Sequence, residues 1–267
     1  MHWIWPGRYC LNFLPVKILT IGLYLSANSG HAAKVIKLVG DPWCPFSCDP
    51  TAPNKGFVVD LVKQIFEAKG YVVTYESMTW ARAIEETREN HFTALAGALF
   101  SDVPDFVFPN RAAATQRNCF YVKKGVKWKY KNIDSFKDIV IGIVKGYSYD
   151  PSLDEYFAKN SGNPERVEVV SGMGTALKLI RKVLDNRNDV LIEDESVVAY
   201  TLKSTADIKT DDLIVAGCLK RMSLHLAFSP NNPKSKLYAQ IFSEGLKKLK
   251  SSNQLKLISD RYGIEYQ

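Results

Sequence analysis

The chain has no long hydrophobic run: the longest apolar stretch near its start, residues 18–25 (ILTIGLYL), is far short of the ~20 residues a helix needs to span a bilayer. No later segment comes closer, so the mature protein is expected to be soluble. Histidine is scarce, at four residues in 267. The four form no ligand-spaced cluster, and neither a Ser-His-Asp nor a Cys-His arrangement is visible, so the sequence offers no metal site, no cofactor motif and no catalytic residues. His91 and His225 fall in strand-like segments, where packing or exposure is the default. A dominant charge is also lacking. Thirty-five basic residues against 28 acidic ones give a formal +7, with lysines such as Lys247, Lys248 and Lys250 spread over a solvated helix face. A nucleic-acid partner is therefore not expected.

The opening segment differs from the rest. Arg8 and Lys17 are its only charges, the apolar run follows, and small residues end in Gly30-His31-Ala32-Ala33. This order describes a cleavable secretory signal over residues 1–32, cut after Ala32 or Ala33. No cysteine follows the apolar core, which gives no support to a lipid anchor. Cys10 belongs to the signal and leaves Cys44, Cys48, Cys119 and Cys218. An even number in an exported chain favours disulfides. Cys44 and Cys48 can close a turn around Pro45, leaving Cys119 to pair with Cys218, although four cysteines allow three connectivities.

From Val35 onward strand and helix patterns alternate. Residues 35–39 read as a strand ended by Asp41-Pro42, and residues 56–69 put Val58, Leu61, Val62, Ile65 and Phe66 on one helical face before Gly70. A strand at 71–75, a helix at 80–89 and an apolar strand at 92–99 follow. After a loop rich in Asp and Pro come strands at 118–123, 139–144, 167–170 and 190–192, with helices at 151–158, at 174–184 and up to Tyr200. A strand at 223–228 precedes a long amphipathic tail. Such alternation calls for parallel sheets covered by helices on both faces, in two α/β lobes of ordinary domain size.

Six segments in order carry a resemblance: DPWCPF at 41–46, GFVVDL at 56–61, VIGIVKG at 140–146, DVLIED at 189–194, AFS at 227–229 and RYG at 261–263. Over what looks like its whole mature length the chain resembles the bacterial extracellular solute-binding proteins of family 3, the polar amino-acid type. The resemblance implies a type II periplasmic-binding-protein fold: α/β, two lobes, each a mostly parallel sheet flanked by helices, joined by two crossing strands. Lobe 1 would comprise residues 33–117 and 226–267, and lobe 2 residues 118–225. It implies a periplasmic monomer that closes on a small-molecule solute without chemistry and serves an inner-membrane ABC permease or a sensor. A dehydratase-like enzyme on the same fold is the rival reading. On this layout Cys119 and Cys218 both lie at the base of lobe 2, which favours that pair.

The resemblance also supplies site residues. Trp43 stands where the family has an aromatic wall, with core packing as its alternative, while Phe46 reads as packing. Gly97 and Ala98 match a segment whose backbone faces ligand. Relatives continue with a Thr and an Arg that holds the substrate carboxylate, but this chain reads Phe100-Ser101-Asp102-Val103-Pro104-Asp105. Either Arg111 or Arg117 reaches in, or the ligand is not an ordinary α-amino acid; as turn residues, Asp102 and Asp105 would have a simpler role. Tyr147 and Ser148, between a strand and a helix, offer amide and hydroxyl donors. Asp194 aligns with the acid that pairs with a ligand ammonium, ahead of Glu193. An acid, an aromatic face and loop amides together point to an amine-bearing solute.

Overall fold

The computed structural model describes residues 1–4, 7 and 34–266. The apolar run and the cut site of the expected signal lie outside the described residues, as does Cys10.

Two five-stranded sheets organise the chain from Lys34. The first contains β1 (Lys34–Gly40), β2 (Tyr71–Ser77), β3 (Ala94–Ala98), β4 (Ala114–Gln116) and β10 (Met222–Phe228), in the order β2-β1-β3-β10-β4. The second contains β5 (Asn118–Lys123), β6 (Ile141–Val144), β7 (Val167–Val170), β8 (Val190–Asp194) and β9 (Leu213–Cys218), in the order β7-β6-β8-β5-β9. Both are mixed. β1 runs parallel to β2 and β3, and β6 parallel to β7 and β8. The strands that carry the chain between sheets, β5 and β10, pair antiparallel with their neighbours. They reach their places by a direct crossing, without the helical crossover that parallel pairing requires.

Helices α1 (Phe57–Glu67) and α2 (Trp80–Arg88) belong to the first sheet, and α3 (Pro151–Asn160), α4 (Thr175–Leu184) and α5 (Glu195–Ser204) to the second. α1 buries Val58, Leu61, Val62, Ile65 and Phe66 as the periodicity predicts. Its start demands glycine: Gly56 has φ +113°, and a Cβ there would lie 2.4 Å from the Phe46 carbonyl oxygen. The tail forms α6 (Ser235–Ser251) and α7 (Gln254–Tyr262). Phe242, Leu246, Leu249, Leu255 and Ile258 from this tail share one core with Ile36, Leu38, Phe66 and Phe228. The last helices therefore seal the sheet in which the described chain begins.

The crossing between sheets is a two-stranded ribbon. Only Arg117 separates β4 from β5, and Leu219, Lys220 and Arg221 separate β9 from β10. The return expected at Leu226 falls inside β10, which already pairs with β4 at Met222↔Gln116, so the crossing comes earlier. Cys119 and Cys218 face each other in register and are disulfide-bonded, with Cα atoms 4.0 Å apart. Cys44 and Cys48 form the second disulfide.

Candidate ligand-binding site

Strands β1, β3, β6 and β8 all direct their carboxyl ends toward the junction of the two lobes, where open α/β sheets place their ligands. A cavity of about 40 Å³ lies there. From lobe 1 it is lined by Asp41, just past β1, by Trp43 and Trp80, by Gly97, Ala98 and Leu99 at the end of β3, and by Asp102. Gln116 and Asn118 flank the crossing, and Tyr147 and Ser148 close the cavity from the loop after β6. Gly97 sits at φ +108°, a conformation other residues seldom adopt, and turns the main chain of β3 toward the cavity.

The loop carrying Trp43 is tightly fixed. Its amide donates to the Ser47 carbonyl at 2.6 Å, the Cys44–Cys48 disulfide closes the turn, and Ser47 Oγ donates to the Asp41 carbonyl at 2.9 Å. The indole stacks on Phe46 with centroids 4.6 Å apart. Trp43 is thus at once a core residue and part of the cavity wall.

Among the described residues, three hydrogen bonds cross the cleft. Trp43 Nε1 donates to Glu193 Oε1 at 3.0 Å, the Ser148 amide donates to Asp102 Oδ1 at 3.0 Å, and the Tyr147 hydroxyl donates to Asp41. Tyr147 stands edge-on to both indoles, 6.5 Å from Trp43 and 6.3 Å from Trp80. A water molecule needs at least ~10–15 Å³ of such free volume, so this cavity is a narrow one, with room for only a few waters of that size. The lobes are drawn together, and a solute enters only by parting these bonds.

Carboxyl groups dominate the electrostatics. Burial pushes Asp41 up to about 6, against the Tyr147 hydrogen bond, and pushes Asp102 up to about 6, against the amides of Leu99 and Ser148. Glu193, 1% exposed behind Trp43, is raised to about 8 by burial; its Oε1 accepts from Trp43 and from the Asp194 amide, and its Oε2 has no partner among the described residues. Among the described residues no Lys or Arg lines the cavity. An uncompensated cluster of this kind is costly unless it is protonated or meets a cation. Among the described residues no group of His, Cys, Asp or Glu could hold a metal ion.

Asp194 requires a correction. It does not line the cavity: it is fully buried, its Oδ1 accepts from the amides of Ser196 and Val197 to cap α5, and its Oδ2 accepts from the Arg117 amide at 2.8 Å. In a strand, successive side chains take opposite faces, so Glu193 and Asp194 cannot share one role. The arginines proposed as substitutes also lie elsewhere. Arg117 donates to the Leu219 carbonyl and pairs with Glu195, while Arg111 lines a separate groove beside Lys247 and Lys250. Asp105 pairs with Arg88 at 2.8 Å outside the cavity, and Asp102 accepts from the Leu99 amide as a turn residue would while still facing the cleft. Asp41, Trp80, Leu99, Gln116, Asn118 and Leu224 were missed by the sequence reading. For Asp41 the signal was present, an acid directly after an apolar strand.

No curated protein sequence matches the chain. Among solved structures, one from work on glutathione import through GshT and the cystine ABC importer TcyBC of Streptococcus mutans is 19% identical, with TM-score 0.72, covering 88% of this chain and 97% of that one. A mutant of ArgBP from T. maritima is 14% identical, with TM-score 0.70 and coverage of 85% and 94%. A histidine kinase sensor domain with similarity to periplasmic binding proteins is also 14% identical, with TM-score 0.70 and coverage of 88% and 99%. At these identities the likeness is one of fold. It agrees with the two mixed, helix-flanked sheets, and a family model extends over residues 36–265: the chain belongs to the bacterial extracellular solute-binding proteins, family 3.

Proposed function

We propose that this protein captures a small amine-bearing solute in the periplasm, by closing its two lobes around it, and delivers it unchanged to an ABC-type importer in the inner membrane. The observation that carries this reading is the charge of the cavity: Asp41 and Asp102 line it, no basic side chain among the described residues does, and Trp43, Trp80 and Tyr147 supply ring faces that attract cations. An ammonium group entering here satisfies carboxylates that burial otherwise forces toward protonation. Trp43, Gly97, Ala98, Asp102, Tyr147 and Ser148 are the proposed contacts, joined by Asp41. Family membership supports an extracellular binding role.

Thermal-shift screening of amino acids, mono- and diamines and short peptides tests the reading. A ligand at a hundredfold excess over its Kd stabilises the fold by about 2.7 kcal/mol, and amine-bearing solutes are expected to give the shift. Stabilisation by neutral or anionic solutes and by no amine overturns it. A second reading, presentation of the same solute to a membrane sensor, draws on the likeness to the histidine kinase sensor domain. Deleting the gene separates the two: import predicts lost uptake of the labelled amine, and sensing predicts intact uptake with a lost response.

A further inference from the structure

Asp102 uses both of its oxygens on main-chain donors, one from each lobe. Oδ2 accepts from the Leu99 amide at 2.8 Å within lobe 1, and Oδ1 accepts from the Ser148 amide at 3.0 Å across the cleft. The same carboxylate forms part of the cavity wall, together with Gly97 and Ala98.

This arrangement bears on any ligand that carries its own carboxylate. A ligand carboxylate needs a guanidinium, an ammonium or free amides. Among the described residues the cavity wall contains no Lys or Arg, Arg117 is committed to Glu195 and Leu219, and the amide that points across the cleft from lobe 2 is already taken by Asp102. An incoming carboxylate therefore meets two fixed acids, Asp41 and Asp102, in a site sheltered from water, where like charges repel by several kcal/mol. A ligand ammonium meets the same two acids favourably.

We propose that Asp102 sets the specificity of this site: the protein's own carboxylate fills the amide position on the far lobe, so that the cleft accepts small amines and diamines lacking a carboxylate and rejects the amino acids that correspond to them. This rests on the reading of the cleft as an amine site and narrows it to one chemical class. Asp102 does so by occupying a donor and by charge, and it also ties the lobes together.

Matched pairs differing only in the carboxylate test the assignment: cadaverine against lysine, agmatine against arginine and putrescine against ornithine, with Kd measured by titration calorimetry on the purified protein. The decarboxylated member of at least one pair is expected to bind about tenfold or more tightly than its amino acid, a difference of about 1.4 kcal/mol or more. Asp102→Ser, which frees the Ser148 amide and removes the charge, is expected to cut that discrimination about tenfold, mainly through tighter binding of the amino acid. Equal binding of both members, or preference for the amino acid, overturns the specificity assignment and leaves the amine reading standing. Failure of every member of every pair to bind overturns the amine reading, and this inference with it. Unchanged discrimination in a folded Asp102→Ser also overturns the role given to Asp102. If that variant does not fold, the wild-type comparison decides alone.

Discussion

Trp43 and Glu193, 150 residues apart in the chain, meet across the cleft through a 3.0 Å hydrogen bond from the indole nitrogen to Oε1. One lies in a disulfide-closed turn of lobe 1 and the other at the end of the central strand β8 of lobe 2. Burial raises the Glu193 carboxyl to about 8, and its indole contact spans the cleft between the lobes. The acid and the closed state are thus linked.

The first prediction concerns pH. Glu193 is raised to about 8, and Asp41, Asp102 and Asp194 to about 6. A carboxyl raised in the folded state contributes stability that is fully present below its ordinary value and is lost as pH rises through the folded one. His225, lowered by burial, acts in the opposite sense, losing stability as pH falls through its ordinary range, but it is one group against these four and Asp154, which burial also raises. The thermal midpoint of the ligand-free protein is expected to fall between pH 5 and pH 8, and the affinity for an amine to rise over the same interval. Glu193→Gln keeps an acceptor for Trp43 and is expected to flatten the upper part of the midpoint curve. Differential scanning fluorimetry across buffers checks both statements; a midpoint that rises steadily to pH 8 contradicts the assignment.

Asp194 supplies the second. Asp194→Ala removes the α5 cap and the bond to the Arg117 amide, and is expected to cost about 1–3 kcal/mol in denaturant unfolding. Its effect on amine affinity is expected to stay below about tenfold, and Asp194→Asn should recover much of the lost stability. Complete loss of binding by a folded Asp194→Ala would return this residue to the ligand site.

Disulfides supply the third. Cys119 and Cys218 are 99 positions apart, so removing their bond in Cys119→Ala/Cys218→Ala is expected to cost about 2–4 kcal/mol through the unfolded chain. Cys44 and Cys48 are only 4 apart, and Cys44→Ser/Cys48→Ser is expected to cost less stability and more affinity, because it loosens the turn that holds Trp43. Paired unfolding and binding measurements separate the two effects.

What was legible in the sequence follows the strength of each pattern. α1 and α4 show clear helical stripes and formed as expected, as did the buried runs β3 and β8. β4 and β9 were missed for different reasons. β4 has only three residues, and β9 leaves Ile214 and Val215 exposed in succession, so neither presents the alternation that marks a strand. β9 is placed by its pairing with β5, a partner far away in sequence. At the site, Asp102 was noticed because it departs from the family pattern. Asp194 was misassigned because an acid at a strand end looks alike whether it faces a cleft or caps the next helix, and only the direction of the side chain separates the two.

The crossing ribbon has unequal rails. One strand offers Arg117 alone between the sheets, the other Leu219, Lys220 and Arg221, and the Cys119–Cys218 bond prevents either from sliding past its neighbour. A parting of the lobes is therefore expected to draw its backbone torsion chiefly from the longer rail.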